Sequence, residues 1–161
     1  MEFSVGQHIV HPKYGVGVVN RIETTELLGR SSRCLKIHFP RHNTQILVPV
    51  DKAAELHMRA PLGEKEAAEI WDALKRRARG LAKLRPRERV KIFKPIVAHG
   101  TPEDLATVVR DLGRLGKIKK LTDEESEMLE TALRTLTREL SLAEDRDPIP
   151  VRAEIESILD R

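Results

Sequence analysis

The first stretch of the chain alternates apolar and polar positions with a period of two, which predicts short β-strands. Residues 8–10 and 16–19 are two such runs, and a turn separates them. Within that turn, Pro12 presets its φ angle and Gly15 can adopt a positive φ. Gly17 lies inside the second run and indicates a bulge or a close backbone approach. These residues are therefore predicted to form a β-hairpin that opens a small, strongly curved sheet.

The alternating pattern continues almost to residue 60. Residues 21–25 extend the second strand of the hairpin, and residues 27–32 are predicted to be a loop because glycine and serine interrupt the pattern. Two further strands follow at 34–39 and 44–50. Pro49 cannot donate a ladder hydrogen bond, so it should lie on an edge or at a strand end. Four or five antiparallel strands predict a small barrel-like sheet, one edge of which could accept a partner's strand.

After a boundary at residues 59–63 the apolar period changes to that of α-helices. Trp71 shares a helical stripe with Ile70 and Leu74, which predicts a core residue rather than a functional aromatic. Thr101 and Thr122 are predicted N-caps. Helices are expected from 64 to Gly80, at 90–97, from 102 to Gly113 or Gly116, from 123 past 140, and at 151–159, with a basic linker at 81–89. The fold class is therefore α+β, with a small curved antiparallel β-sheet or barrel in residues 1–60 and an all-α helical domain in residues 61–161.

The composition restricts the class of protein. Of the 161 residues, 34% are charged and 40% are hydrophobic, which is typical of a globular chain. Cys34 is the single cysteine, so no intrachain disulfide can form, and a reducing compartment is indicated. The first residues lack the pattern of a signal peptide, and no stretch approaches the ~18 apolar residues of a membrane span. A cytoplasmic protein without a membrane partner is predicted.

Positive charge is concentrated in the middle of the chain. Residues 64–100 contain eleven Lys or Arg and five Asp or Glu, whereas residues 101–161 contain ten and fifteen. Between Lys75 and Lys94 there are ten basic residues and one acidic residue, Glu88. We call these ten residues the basic segment. Such local enrichment indicates a polyanionic partner, and the alternative is an ordinary solvated helix face.

The sequence contains no motif that is typical of a catalytic or metal-binding site. His8, His11, His38 and His42 match no zinc spacing, and one cysteine cannot complete a site. The acidic residues at 123–130 surround a predicted helix N-terminus, where the helix dipole favours them, and are interpreted as a solvated face. No nucleophile, base and oxyanion donor can be assembled. The sequence therefore predicts neither an enzyme nor a metal or cofactor site.

Several motifs resemble those of one family. They are VGQHIVHPKYGVGVV from Val5, VVRDL from Val108, LTDEESEML from Leu121 and ELSLA from Glu139. At matching spacing, they resemble the CarD/CdnL family of bacterial RNA polymerase-binding transcription regulators over nearly the whole chain. The helical motifs distinguish this family from transcription-repair coupling factors, which carry a module similar to the first motif.

The resemblance implies a function without a cofactor. The N-terminal module would be Tudor-like and would bind the RNA polymerase β subunit by adding its sheet edge to the partner. The helical module would contact promoter DNA near the upstream edge of the bubble, and both together would stabilise the open complex. A monomer is expected, since no heptad seam is present. The candidate polymerase-binding residues are Thr25, Ile46, Leu47 and Val48, and the candidate DNA-binding residues are Arg76, Arg79, Arg85, Pro86, Arg87, Arg89 and Lys91.

The chain departs from the family pattern at functional positions. The family's tryptophan, which wedges into the minor groove, aligns with Pro86 to within one residue, and proline is a weaker wedge. Two arginines that help to hold the polymerase in some members align with Thr25 and Leu47. These departures leave a second hypothesis open. The chain could be a protein–protein adaptor of the same fold that has lost the DNA wedge and binds an acidic protein partner.

Overall fold

The computed structural model describes residues 3–161, except for the side chain of Leu27, and confirms the α+β class. It divides into a sheet unit that ends at Pro61 and a helical unit that begins at Leu62. The strands are β1 His8–His11, β2 Gly15–Leu27, β3 Arg30–Phe39 and β4 Thr44–Pro49. The helices are α1 Glu64–Lys75, α2 Pro86–His99, α3 Pro102–Ile118, α4 Asp123–Glu144 and α5 Pro148–Leu159.

The first hairpin forms as the sequence predicts. Gly15 has a φ of 76°, which the turn between β1 and β2 requires. A Cβ atom on Gly17 would lie 2.7 Å from the ring of Phe39, so the close approach is confirmed there. The bulge lies further along β2, where the register with β3 shifts between Val19 and Arg21. A bulge of this kind bends its strand and increases the twist of the sheet.

The predicted loop at 27–32 is wrong. Leu27 pairs with Arg30, and the ladder continues through Glu26 with Ser31, so only two residues form the turn. These two residues, 28 and 29, have φ angles of 52° and 78°. Positive φ at both positions is typical of a type I′ turn, whose twist matches that of the flanking strands. The serines that suggested a loop belong to β3.

The four strands lie in the order β1-β2-β3-β4, all antiparallel. One face packs into a buried aliphatic cluster with one aromatic ring, formed by Ile9, Val19, Leu35, Ile37, Phe39 and Val48. The outer side of β1 is bridged by two backbone bonds between Val10 and Arg59, of 2.8 and 3.0 Å. Among the described residues no strand pairs with the outer side of β4. Pro49 is the last residue of this edge strand, as expected.

The early part of the helical unit differs from the prediction in two places. α1 ends at Lys75 rather than at Gly80. α2 begins at Pro86, which occupies its first position, whereas residues 81–89 were predicted to be a linker. Pro86 is compatible with a helix there, because the first turn of a helix accommodates a proline.

The glycines predicted to end α3 lie inside it. A Cβ atom on Gly113 would lie 2.7 Å from Cδ1 of Leu159. Gly116 similarly lies next to Leu121. Both glycines therefore allow close packing, and α3 continues to Ile118. The role of Gly113 depends on the neighbouring α5, which a local pattern cannot show.

The remaining helix starts follow their capping residues. Thr101 and Thr122 are the N-caps of α3 and α4, as predicted, and form capping boxes with Asp104 and Glu125, with side chain to backbone distances of 3.2 Å. Asp147 caps α5, which begins three residues before the predicted 151. Trp71 is 8% exposed within the helical core, as predicted. Among the described residues no helix has the length and apolarity that crossing a membrane requires.

Candidate functional site

Along the edge strand β4, the candidate polymerase-binding side chains alternate between solvent and the sheet core. Leu47, opposite Lys36, is 42% exposed. Ile46 packs against the sheet core, and Val48 is only 2% exposed. Because β4 pairs on one side only, alternate backbone N–H and C=O groups face outward. The edge can therefore offer main-chain hydrogen bonds and the Leu47 side chain, whereas Val48 can contribute only its backbone.

Thr25 lies in a different part of the sheet unit. It pairs with Ser32 in the β2–β3 hairpin. β4 extends along β3 only as far as the pair between Pro49 and Cys34, so residues 30–33 of β3 pair with β2 alone. Thr25 and Leu47 are consequently not cross-strand neighbours, and the structure does not bring them together on one strand.

The basic segment contains a buried ion pair between the first turn of α2 and the first turn of α4. Arg89 Nε donates to Glu125 Oε2 at 2.6 Å, and its Nη2 donates to Oε1 at 3.1 Å. Its Nη1 donates to the carbonyl oxygens of Leu84 and Leu81, at 2.5 and 3.3 Å. Arg89 is 2% exposed and Glu125 is fully buried. All the nitrogens of this guanidinium therefore have partners within the protein.

The electrostatics of the pair favour the charged forms. Burial by itself raises the pKa of Glu125, but hydrogen bonds from Arg89 and Thr122 outweigh it, and the pKa is lowered. The hydrogen bond to Glu125 raises the pKa of Arg89. A bidentate arginine–carboxylate pair with its remaining donors satisfied is the arrangement in which buried charges are tolerated.

Two sequence interpretations change as a result. Arg89 was a candidate DNA-binding residue, but its buried and fully bonded guanidinium cannot reach a phosphate. Glu125 was assigned to a solvated acidic face, but it is an internal counterion. Its position in the capping box was visible in the sequence, whereas its pairing with a residue 36 positions earlier was not.

A second charged cluster fixes Arg79. Asp111, which is 1% exposed, accepts from the Arg79 backbone N–H at 3.2 Å and from its Nε at 2.7 Å. It also accepts from Arg110 Nε at 2.8 Å. The side chain of Arg79 is 54% exposed, so part of its guanidinium still faces solvent. Arg79 thus ties the connection between α1 and α2 to α3.

The other basic residues of this region are exposed. Across residues 3–161, no carboxylate lies within salt-bridge distance of seven of them. Lys94 differs, because its Nζ lies 3.8 Å from Glu124. Pro86 is also exposed, at the first position of α2. We call the seven residues the basic surface: Lys75, Arg76, Arg77, Lys83, Arg85, Arg87 and Lys91.

The basic surface contains no exposed aromatic ring. Trp71 is in the core, and its Nε1 donates to Glu144 at 3.1 Å. Phe93 is fully buried beneath the Arg79 guanidinium, 5.9 Å from the ring centroid. Base stacking, which single-strand binding proteins use, is therefore not available on this surface. What the arrangement offers is contact with phosphate groups through lysine and arginine.

In the part of the chain that the structure describes, no three His, Cys, Asp or Glu residues cluster closely enough to hold a metal ion.

Comparison with known proteins finds matches for both the sheet unit and the helical unit. Residues 3–60 match the model of the CarD-like/TRCF RID domain, and residues 69–159 match the model of the CarD C-terminal domain. The chain is also similar to a Bacillus subtilis (strain 168) protein named "Putative transcription factor YdeB". The two are 29% identical over 140 residues, which cover 87% of this chain and 91% of that protein.

Proposed function

This chain belongs to the CarD family of non-catalytic transcription regulators, and we propose that it docks on RNA polymerase and stabilises the open promoter complex. The family of its N-terminal domain binds the polymerase β subunit. Strand β4 would add to a strand of that subunit, and the basic surface would contact promoter DNA near the upstream edge of the bubble. This role belongs in the bacterial cytoplasm, with the polymerase on the nucleoid.

The observation that carries the proposal is the unpaired outer edge of β4. The opposite edge of the sheet is bridged to Arg59, whereas β4 leaves alternate main-chain groups without a partner strand among the described residues. Strand addition obtains affinity from main-chain bonds and specificity from alternate side chains. Leu47 is the exposed apolar side chain on this strand.

Replacing Leu47 by Glu tests the docking. The substitution puts charge on an exposed position, so the sheet unit should stay folded, while retention of the full chain by RNA polymerase should fall. Leu56→Glu is a matched control, because Leu56 has the same 42% exposure but follows β4 in the chain. Equal retention of both variants by the polymerase would contradict docking through β4.

The DNA contact rests on the basic surface beside the N-terminus of α2. Phosphate groups are favoured there by the side-chain charges and by the positive end of the helix dipole. Replacing Arg85 and Arg87 together by Glu should shorten the lifetime of a preformed promoter complex after a heparin challenge. Lys65→Glu, on an exposed residue of the first turn of α1, is the control. An unchanged lifetime in the double variant would contradict the DNA role.

The adaptor function remains a second candidate, and one observation favours it. Where the family carries an exposed wedge, this chain has Pro86, and its tryptophan is buried with its indole bonded to Glu144. An adaptor would dock on its partner in the same way, but its basic surface would bind an acidic protein. Its activity would not depend on the promoter sequence or on phosphate contacts.

A further inference from the structure

The end of α1 is fixed against α3 by two arginines. Arg110 Nη1 donates to the carbonyl oxygen of Ala73, and Arg114 Nη2 donates to that of Leu74, both at 3.3 Å. These carbonyls belong to the last turn of α1, where cations are favoured, and the Ala73 carbonyl also accepts from the Arg76 backbone N–H. The contacts determine where the chain leaves α1.

The following connection, residues 76–85, runs along α3 in the same direction. Arg79 binds Asp111, and further along, Lys119 Nζ donates to the carbonyl oxygen of Ala82 at 3.1 Å. Lys119 follows the last residue of α3. It therefore reaches the connection immediately before Lys83, one of the residues of the basic surface. In sequence, Lys119 belongs to the acidic part of the chain.

We propose that the DNA-binding surface is built from two chain segments, and that Lys119 contacts the DNA phosphate backbone together with Lys83 and Arg85. This inference rests on the proposed DNA contact of the family fold and adds a second segment to it. The surface then continues from the N-terminus of α2 across the connection to the C-terminal end of α3.

The charges around Lys119 support a polyanionic partner. Its bond to Ala82 is to a neutral carbonyl, so the ammonium keeps its full charge and two further donors. Within residues 3–161, no carboxylate lies within salt-bridge distance of Lys119, whereas Lys117 lies 2.7 Å from Asp160. At the end of α3, Lys117 is thus paired with Asp160, whereas Lys119 keeps its charge and lies beside the segment that carries Lys83. Like charges brought together in this way repel unless an anion binds between them.

Duplex DNA fits this surface better than an acidic protein does. Regularly spaced phosphates match a surface of single positive charges without an exposed aromatic ring, whereas the hot spots of protein interfaces are enriched in aromatic side chains. Ile118, at the end of α3, is the exposed apolar side chain next to Lys119. Lysine binds phosphate as a point charge and needs no bidentate geometry. The acidic-protein alternative can be separated from this one by experiment.

The test measures how salt weakens the binding of the full chain to a short fluorescein-labelled DNA duplex, followed by anisotropy. Each neutralised phosphate contributes about 0.9 to the slope of log K against log salt. Lys119→Gln should reduce the slope by about 0.9, and Lys119→Arg, which keeps the charge, should restore it. Lys65→Gln removes an equal charge from the first turn of α1 and should leave the slope unchanged. Thermal unfolding of each variant checks that the fold is intact.

Arg87→Gln, measured in parallel, distinguishes this inference from the proposed function. A reduced slope for Arg87→Gln with an unchanged slope for Lys119→Gln would overturn the two-segment surface and leave the DNA role standing. Unchanged slopes for both variants would overturn both. If Lys119→Gln instead weakened retention by RNA polymerase without DNA, and left the slope unchanged, the partner of Lys119 would be an acidic protein and the inference would fail.

Discussion

The inner and outer sides of the first turn of α2 use the same residue type for different purposes. Arg87 is exposed and has no carboxylate partner among the described residues, whereas Arg89 is 2% exposed and binds Glu125 through two hydrogen bonds. Two positions along a helix correspond to a rotation of about 200°, which separates solvent from core. A basic residue in the sequence therefore indicates a polyanionic partner only where the helix exposes it to solvent.

The energetic consequences of the two sides differ. Removing one member of a buried pair leaves an uncompensated charge in the interior, whereas an exposed charge interacts mainly with water. The inner side of α2 should thus determine folding, and the outer side should determine binding. Four predictions test this division, in order of decreasing effect on stability.

The largest effect is expected for Glu125→Gln. The buried Arg89 guanidinium loses its counterion, which should destabilise the fold by about 3–5 kcal/mol. Urea unfolding of the full chain measures this change. Glu124→Gln is a matched control, because Glu124 is exposed and lies 3.8 Å from Lys94, so its loss should cost at most about 1 kcal/mol. Equal effects of the two variants would contradict a structural role for the buried pair.

The pair of Arg89 and Glu125 also predicts that the stability of the fold depends on pH. The pKa of Glu125 is lower in the folded protein, so the unfolded chain binds the extra proton first, and stability falls with decreasing pH. The contribution is complete above the unfolded value of about 4.3 and is lost as the pH falls through the folded value. Unfolding measured from neutral to acidic pH should show a shallower loss in Glu125→Gln than in the wild type. Parallel curves would rule out this titration.

Asp111→Asn should have an intermediate effect. The substitution removes the charge that Arg79 and Arg110 share and one of the acceptor oxygens, at a cost of about 1–3 kcal/mol. The connection after α1 should also loosen, so trypsin should cleave after Arg76 faster than in the wild type. Asp72→Asn, on the exposed side of α1, serves as the control. Unchanged cleavage would mean that Asp111 does not hold the connection.

The smallest effect on stability is expected for Arg87→Gln. An exposed side chain without a partner should change the free energy of unfolding by no more than about 0.5 kcal/mol. The same variant should reduce the salt slope of DNA binding by about 0.9. A loss of stability similar to that of Glu125→Gln would show that the two sides of α2 are not functionally distinct.

The accuracy of the sequence prediction varied with the range of the interactions involved. The N-caps Thr101 and Thr122 were predicted correctly because the cap and the residue it bonds lie three positions apart. The role of Gly113 was not, since it depends on Leu159 of α5 across a packing interface. In the sheet unit, alternation located the strands, but the two-residue turn at 28–29 was missed because Leu28 is an unusual residue for positive φ.

The sequence by itself determined the fold class, the starts of α1, α3 and α4, the buried position of Trp71 and the resemblance to the CarD family, which the family models confirm. It also located the excess of positive charge. Only the tertiary structure decided what the basic side chains contact, because it buries Arg89 against Glu125, ties Arg79 to Asp111 and brings Lys119 to the carbonyl of Ala82. The partners are 32 to 37 residues apart, and packing between helices brings them together, so no local pattern records them.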